Sequence, residues 1–332
     1  MLETKRIFSG IRATGRLHLG NYFGAIKGML ELQDSLEYEM LFSVVDMHAM
    51  TTPYDHKALA EKTRNVILDY LACGLDPKKS TLIVQSMVGD LHAEMMFYFS
   101  TLVTVARMQH LPTYKEKIKQ HPNNVTMALL NYPVLMAADI LIYKSELVPV
   151  GIDQEPHLEV AREIARKVNS ELGTDFPEPK RFATAGEYVP SLSGLGKMSK
   201  SVEGSYINLA DDLETIKKKI ARIPTDSGQG NSVPIQGGVP VLLTLVELFE
   251  GLSRKNELED QYLNSGLKYS DVKKELAEAI FAELEPIQKR RFKLERDTEY
   301  VDKVVLQGAK KAREVASETL EELKQKLGLM RV

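Results

Sequence analysis

Residues 7–26 read IFSGIRATGRLHLGNYFGAI, an apolar strand-like run followed by a glycine-rich corner and the start of a helix. Gly10, Gly15 and Gly20 allow a ligand to approach the backbone, and the free N–H groups at a helix start favour phosphate. His18 adds a hydrogen-bond donor at the same corner. A lone histidine more often packs a turn than binds a ligand, so a nucleotide site here needs support elsewhere in the chain.

The composition is that of an ordinary soluble protein. The chain has 332 residues, of which 43% are hydrophobic and 27% charged, and this length favours two domains. No apolar run approaches the roughly 20 residues that span a bilayer, and no signal peptide begins the chain. Cys73 is the single cysteine, which excludes an intramolecular disulfide and a cysteine-based metal site. We expect a protein of the reducing cytoplasm that does not associate with membranes.

Strand-like and helical segments alternate in the first half of the chain. Four short apolar segments predict buried strands: KRIFSGI (5–11), EMLFSVVD (39–46), STLIVQS (80–86) and ELVPVGI (146–152). Helical periodicity fills the gaps, over 22–36, 55–73, 90–107, 125–143 and 155–172. This order predicts an α/β domain, a Rossmann-like doubly wound parallel sheet over residues 1–190, with ligands at the carboxyl ends of its strands.

The second half is predicted to be mainly helical. Helical segments cover 211–223, 239–253, 269–297 and 301–327, and they follow a loop rich in glycine and serine. We therefore place the second domain at residues 191–332.

Two common nucleotide-binding motifs are absent. The spacing of Gly10 and Gly15 resembles a P-loop, but Arg16 and Leu17 stand where lysine and a hydroxyl residue are required. The segment SLSGLGKMS has Ser191 in place of the first glycine, and no G-x-G-x-x-G follows a strand. A nicotinamide cofactor therefore has no support.

A second basic motif lies in the glycine-rich loop. Residues 197–201 read KMSKS, with two lysines three positions apart. Such a pair can hold one polyphosphate, and a mobile loop can close on a nucleotide after it binds. Alone, this motif would more often be solvated surface, but it follows TGRLHLGN (14–21) in the same chain.

These two motifs resemble the signatures of the class I aminoacyl-tRNA synthetases. TGRLHLGN resembles their HIGH signature, and KMSKS is identical to the second. Asn21 replaces the last histidine, as is common in the Tyr/Trp subgroup, and Ala13 stands where the family often has proline. Residues 131–165, NYPVLMAADILIYKSELVPVGIDQEPHLEVAREIA, are similar to the bacterial tryptophanyl branch of that subgroup. The likeness runs from residue 7 to about residue 327.

The resemblance implies an activity and its partners. The expected reaction is ATP-dependent activation of L-tryptophan to the adenylate, with release of pyrophosphate, followed by transfer to tRNA(Trp). Mg2+ would be carried by ATP rather than by a metal site of the protein, and an iron–sulfur cluster is not expected. The family further implies a homodimer, formed through an insertion within residues 1–190, and a helical domain that binds the anticodon. Three basic segments are candidates for tRNA contact: 217–222, 288–293 and 310–313.

The resemblance also assigns site residues. The predicted catalytic residues are His18, Asn21, Lys197, Lys200 and Lys117. The predicted ATP-binding residues are Gly10, Arg12, Ala13, Thr14, Gly20, Asn21, Gly151, Ile152, Asp153, Val189, Lys197, Met198, Ser199, Lys200 and Ser201. The predicted tryptophan-binding residues are Asp139, as acceptor for the indole N–H, with Phe8, His48, Met136, Val148, Val150 and Gln154. Related enzymes often have glutamine at position 12, and a cation there could reach phosphate instead.

Three other functions have less support from the sequence. A tyrosyl-tRNA synthetase would share the chemistry, but the MAADIL segment around Asp139 does not supply a pocket for a phenol. A synthetase-like binding protein that has lost aminoacylation is disfavoured by the intact HLGN and KMSKS motifs. A nucleotidyltransferase for a small cofactor would not need the helical second half.

Overall fold

The computed structural model describes residues 5–35, 37–183, 188–200, 202 and 204–330. The chain divides into two compact units. The sheet unit comprises Met1–Gly15, Met29–Ala183 and Asp297–Val332, and the second unit comprises Arg16–Gly28 and Thr184–Arg296. Both units are therefore built from segments that are separated in sequence.

The sheet unit contains a five-stranded parallel sheet in the order β3-β2-β1-β4-β5. The strands are β1 (Arg6–Arg12), β2 (Glu39–Val45), β3 (Ser80–Val84), β4 (Leu147–Pro149) and β5 (Lys180–Phe182). β1 pairs with β2 from Arg6 opposite Glu39 to Arg12 opposite Val45. This order confirms the predicted doubly wound, Rossmann-like sheet, whose strand carboxyl ends all lie at one edge.

Helices account for most of the remaining chain. In chain order they are α1 (Leu19–Asn21), α2 (Lys27–Ser35), α3 (Asp46–Ala49), α4 (Leu59–Cys73), α5 (Gly89–Ser100), α6 (Val105–Gln109), α7 (Pro112–Gln120), α8 (Met127–Leu141), α9 (Glu155–Leu172), α10 (Leu213–Ala221), α11 (Gly238–Glu250), α12 (Leu252–Asn264), α13 (Tyr269–Arg296) and α14 (Thr298–Lys326). A π-helical segment, Tyr22–Ile26, joins α1 to α2, and 3-10 turns lie at Gln85–Val88 and Ile152–Gln154. Within the described ranges, every helix is too short or too polar to span a bilayer.

The four predicted strands and most long helices are confirmed, but several boundaries were wrong. The predicted helix 90–107 is two helices, since the chain breaks after Ser100 and Thr104 caps α6 by accepting a hydrogen bond from the N–H of Arg107 (3.2 Å). The predicted helix 239–253 ends at Glu250, because Gly251 takes a positive φ of 90° and α12 starts after it. The helix predicted over 22–36 begins earlier, at Leu19.

The strand β5 and the helices α3, α7 and α12 were not predicted. β5 has three residues and an exposed or half-buried surface, so it lacks the continuous apolar run of the other strands. α7 is mostly charged and polar and buries only Tyr114. Neither pattern gives a signal strong enough to distinguish it from a loop.

α14 packs directly on β3 within the sheet unit. Gly308 makes this possible, because a Cβ at this position would lie 1.8 Å from the carbonyl oxygen of Leu82. The last long helix therefore packs on the sheet and belongs to the sheet unit, whereas helices α10–α13 belong to the second unit.

The part of the glycine-rich corner from Arg16 onward belongs to the second unit. Leu19 donates its N–H to Ile207 O (3.0 Å), and Leu209 donates to Leu17 O (2.9 Å). The ring of Phe23 meets that of Phe249 edge to face at 5.0 Å. The corner around His18 is therefore fixed by the segment that follows the lysine loop and by α11.

Candidate active site

The carboxyl edge of the sheet collects polar side chains from several strands. Arg12 ends β1, His48 lies in α3 directly after β2, and Gln85 follows β3. Val150 and the turn Ile152–Gln154 follow β4. In a doubly wound sheet this edge binds ligands.

Asp139 is the centre of a buried polar cluster in the sheet unit. It lies on α8 and is 1% exposed. Its Oδ2 accepts from His48 Nε2 (2.7 Å), and its Oδ1 accepts from His92 Nδ1 (2.6 Å) and Gln85 Nε2 (2.7 Å). Since a carboxylate has about four lone-pair positions, three donors leave room for one more.

A second layer holds the donors of this cluster. Nε2 of His92 lies 2.8 Å from the hydroxyl of Tyr143, and the Tyr143 ring stacks on Phe8 with a centroid distance of 5.7 Å. Gln85 Oε1 accepts from the N–H of Met47 (3.1 Å), which ties it to the start of α3. His92 and Tyr143 are fully buried, so the orientation of the carboxylate is set before any ligand binds.

The cluster favours the charged form of Asp139. Burial alone would raise its pKa, but the charge and hydrogen bond of His48 and the hydrogen bond of His92 hold the pKa of Asp139 well below its usual range. Burial, together with the Asp139 charge, raises the pKa of Tyr143. Asp139 is therefore an ionised acceptor at neutral pH.

A second hydrogen-bonded group lies beside His48. The ring of Tyr132 meets that of His48 edge to face at 6.4 Å, and its hydroxyl lies 2.8 Å from His157 Nε2. His157 Nδ1 lies 2.9 Å from Gln154 Oε1. Burial lowers the pKa of His157 to about 4, so its ring is neutral and Nδ1–H donates to Gln154.

The apolar residues predicted for the tryptophan site share one region. Phe8 (4% exposed) and Val148 (1%) belong to one core cluster, and Met136 and Val150 pack against it half-buried. All of them lie in the sheet unit, as do His48 and Asp139.

The end of β1 carries four predicted ATP-binding residues. A Cβ at Gly10 would lie 2.8 Å from Val45 Cγ1, so only glycine fits there without a shift. Ala13 is buried and Thr14 exposed. Arg12 donates from Nη2 to Thr52 Oγ1 (3.0 Å), whereas its buried Nε makes no hydrogen bond.

His18 is built into the corner of the second unit as a neutral donor. It caps α1, where its Nδ1 accepts from the N–H of Gly20 (3.0 Å) while Asn21 Oδ1 accepts from the N–H of His18 (3.2 Å). Burial and the charges of Lys200 and Lys197 lower the pKa of His18 to about 4. With Nδ1 occupied as an acceptor, the proton of the neutral ring lies on Nε2.

The lysine loop is held mainly by its backbone. Met198 is 3% exposed and donates its N–H to Val189 O (2.9 Å), and Ser191 donates to Gly196 O (2.9 Å). Ser205 Oγ donates to Ser199 O (2.6 Å). A Cβ at Gly20 would lie 3.5 Å from the Cβ of Met198, so the loop and the His18 corner touch within this unit.

Some predicted residues lie in neither the Asp139 cluster nor the His18 corner with its lysine loop. Lys117 lies on α7, where its Nζ donates to Gln120 Oε1 (2.7 Å). Ile152 is 67% exposed, and Asp153 accepts from Gln154 Nε2 (2.7 Å). Ser201 lies outside the described residues.

Sequence reasoning missed Gln85, His92, Tyr132 and Tyr143. Gln85 could have been found, because it directly follows a buried parallel strand and so lies at the ligand edge. His92 and Tyr143 gave no such signal, since both lie in apolar helical surroundings.

Comparison with known proteins places these features in one family. A model of the class I tRNA synthetases (W and Y) matches residues 3–285. The tryptophan–tRNA ligase of Porphyromonas gingivalis is 42% identical over 328 residues, covering 97% of this chain and 98% of its own.

Two solved structures are similar over nearly the whole chain. The tryptophanyl-tRNA synthetase of Campylobacter jejuni, complexed with ADP and tryptophan, has a TM-score of 0.83 at 33% identity and covers 98% of this chain and 100% of its own. The enzyme of Mycoplasma pneumoniae has a TM-score of 0.85 at 30% identity, covering 99% of each chain.

Proposed function

The chain belongs to the class I tRNA synthetases of the tryptophan and tyrosine group, and we propose that it activates L-tryptophan with ATP and transfers it to tRNA(Trp). The reaction class is that of an aminoacyl-tRNA synthetase, a tryptophan–tRNA ligase. The structure of the Campylobacter jejuni relative was obtained with ADP and tryptophan, which supports a nucleotide and this amino acid as ligands here.

The observation that carries the choice of amino acid is the Asp139 cluster. This ionised carboxylate is 1% exposed, is held in place by three donors and keeps one acceptor position for a fourth. The indole N–H of tryptophan is a donor that phenylalanine lacks, and a site built for such a group rejects the analogue strongly. Phe8, Met136, Val148 and Val150 would contact the ring.

Polar groups would hold the main-chain end of the amino acid. Gln154 is oriented by His157, and His48 uses Nε2 on Asp139, so its contact with the substrate falls to Nδ1. Both assignments place the ammonium or carboxylate next to the end of β1.

Activation needs charge stabilisation rather than a general base. One carboxylate oxygen of tryptophan attacks the α-phosphorus of ATP, an O–P bond forms, and the bond to the β-phosphate breaks with its electron pair leaving on pyrophosphate. Lys197 and Lys200 would stabilise that leaving group, and His18 Nε2–H would donate to a phosphate oxygen, with Asn21 fixing its backbone. Lys117 would add a further cation.

The nucleotide would be held by backbone from both halves of the sequence. Gly10, Ala13 and Thr14 would contact adenosine together with Gly20. The remaining proposed contacts are Gly151, Ile152, Asp153, Val189, Met198, Ser199 and Ser201. Mg2+ would enter as the ATP complex, and the described residues include no group of three or more histidine, cysteine or acidic side chains arranged to hold a metal.

The proposed tRNA surface is basic. The segments 217–222 and 288–293 lie on α10 and α13, which pack together in the second unit. In the third segment, 310–313, Arg313 pairs with Asp90 (2.7 Å) and Lys311 with Glu39 (2.8 Å). Lysines of the first two segments are paired as well, Lys219 with Asp211 (2.5 Å) and Lys289 with Glu285 (2.8 Å). Ion pairs therefore do not rank the three segments as tRNA contacts, and the division at residue 190 stays a prediction about function.

A homodimer is supported by exposed apolar side chains on the sheet unit. Phe97 is 67% exposed, Val105 57% and Met127 74%, and they lie on α5, α6 and α8, of which α8 contacts the other two. Burying such residues against a second copy within residues 1–190 would remove apolar area from water. A cytoplasmic location remains part of the same proposal.

The test is amino-acid-dependent exchange of pyrophosphate into ATP, with tryptophan, tyrosine and phenylalanine side by side, followed by charging of tRNA(Trp). Exchange with tryptophan alone is expected. Exchange with tyrosine would keep the reaction and overturn the pocket, and folded protein without any exchange would favour a binding protein.

A further inference from the structure

Arg12 is a partly buried cation that has no acidic partner among the described residues. It ends β1, and its one side-chain hydrogen bond there runs from Nη2 to Thr52 Oγ1 (3.0 Å). Nε is buried and has no hydrogen-bond partner. Tyr132 is the charged or polar neighbour with an electrostatic effect on Arg12, and no Asp or Glu in the described ranges acts on it in this way.

Burying an unpaired cation costs folding free energy. Burial lowers the pKa of Arg12, which measures how much the surroundings disfavour its charge, but a guanidinium stays protonated at neutral pH. Buried charges are normally paired, and an unpaired donor costs its full desolvation. Arg12 therefore fits a site that is completed by an anion from outside the chain.

The surroundings of Arg12 indicate which anion. Arg12 interacts with Tyr132, the Tyr132 ring faces His48, and His48 donates to Asp139. These contacts connect Asp139 through His48 and Tyr132 to Arg12 within the sheet unit. An amino acid whose ring N–H bonds to Asp139 would have its charged main-chain groups available to Arg12.

We propose that Arg12 binds the α-carboxylate of the amino-acid substrate. This rests on the proposed function and changes the expectation that Arg12 contacts adenosine. The guanidinium offers Nε–H and Nη–H in a planar fork that matches the two oxygens of a carboxylate. It also carries a positive charge, which a glutamine at this position would lack. It orients the attacking oxygen and offsets the repulsion between that carboxylate and the α-phosphate.

The experiment compares ligands with and without the carboxylate. L-tryptophan and tryptamine share the indole N–H and the ammonium, but tryptamine has no carboxylate. The chain contains no tryptophan residue, so the indole fluorescence of either ligand can be followed without background from protein indole groups. Equilibrium dissociation constants are measured without ATP for the unmodified chain, R12Q and R12K.

R12Q should bind tryptophan about 10- to 100-fold more weakly than the unmodified chain, because a charge-assisted hydrogen bond is lost. Its dissociation constant for tryptamine should stay within about twofold of that of the unmodified chain. R12K should recover part of the loss, since it keeps the charge but not the fork. The matched control is R6Q on the same strand, because Arg6 already pairs with Glu39 (2.8 Å); it should change neither constant.

Equal weakening of both ligands in R12Q and R12K would overturn the assignment. Unchanged tryptophan binding with weaker ATP binding would also overturn it, and would assign Arg12 to a phosphate. If the unmodified chain binds no tryptophan and supports no pyrophosphate exchange, the proposed function itself fails. If the unmodified chain supports exchange but R12Q weakens tryptophan and tryptamine equally, only the assignment of Arg12 to the carboxylate fails.

Discussion

The Asp139 cluster and the His18 corner use histidine in opposite ways. In the sheet unit, His48 and His92 donate to one carboxylate, which their contacts hold ionised. In the second unit, burial and two neighbouring lysines keep His18 uncharged. The first arrangement fixes a negative acceptor before any ligand arrives, and the second leaves positive charge to the lysines and gives His18 the role of a neutral donor.

The two regions also differ in what holds them. The donors to Asp139 lie on α3, on α5 and in the turn after β3, each packed in the core of one unit. The lysine loop is held by backbone hydrogen bonds and contains Gly194 and Gly196, whose φ values of 85° and 71° favour glycine. In the proposed function, recognition of the amino acid would depend on side chains packed in a core, and stabilisation of phosphate on a glycine-containing loop.

The largest expected effect is on the lysine loop. K200A should lower the rate of pyrophosphate exchange about 10²- to 10³-fold, because Lys200 would stabilise charge that develops in the transition state. Tryptophan binding should change little. The control is K217A, which removes a lysine paired with Glu214 on α10 (3.5 Å). An unchanged exchange rate in K200A would remove Lys200 from the mechanism.

The next effect concerns the rigid cluster. D139N should weaken tryptophan binding about 10- to 100-fold and reduce the preference over phenylalanine, because an amide offers fewer acceptor positions and a donor that faces His48. The ratio of kcat/KM for the two amino acids measures this. D46N is the matched control, since Asp46 is also buried but bonds to Ser86; a similar loss of preference there would contradict a special role for Asp139.

The smallest effect is a pH dependence of stability. His18 has an ordinary pKa of 6.5 in the unfolded chain and about 4 when folded. The unfolded state therefore binds more protons between these values, and folding loses stability as pH falls from 6.5 toward 4. Between pH 7 and pH 5 this amounts to about 2 kcal/mol, and above about pH 7.5 His18 contributes almost no pH dependence.

Urea unfolding at pH 7 and pH 5 checks this prediction. H18N should lose less stability between the two pH values than the unmodified chain. H157N should do the same in the sheet unit, because burial lowers the pKa of His157 to about 4 as well. H56N, at an exposed position, should follow the unmodified chain. Identical pH dependence in H18N would show that His18 is not buried as a neutral group.

The sequence predicted what depends on local pattern. Apolar runs located four strands, and the periodicity of residues 155–172 located α9 with both its ends. The two site motifs could be found because each of them, HLGN and KMSKS, is one uninterrupted stretch of sequence.

The partners of Asp139 could not be predicted in this way. His48 is 91 residues away, Gln85 54 and His92 47, and each arrives on a different element. A pattern in the sequence shows that a polar residue is buried, but the contacts that satisfy it arise only from tertiary packing. The same holds for Arg12, whose lack of an acidic partner is a property of its surroundings.

The discontinuous sheet unit has a consequence for how the protein is made. α14, which Gly308 seats against β3, is synthesised after the whole second unit, although β3 precedes residues 184–296 of that unit in the sequence. The side chains of β3 that α14 covers must therefore wait uncovered while those residues are synthesised. A holding chaperone would protect that surface until α14 emerges.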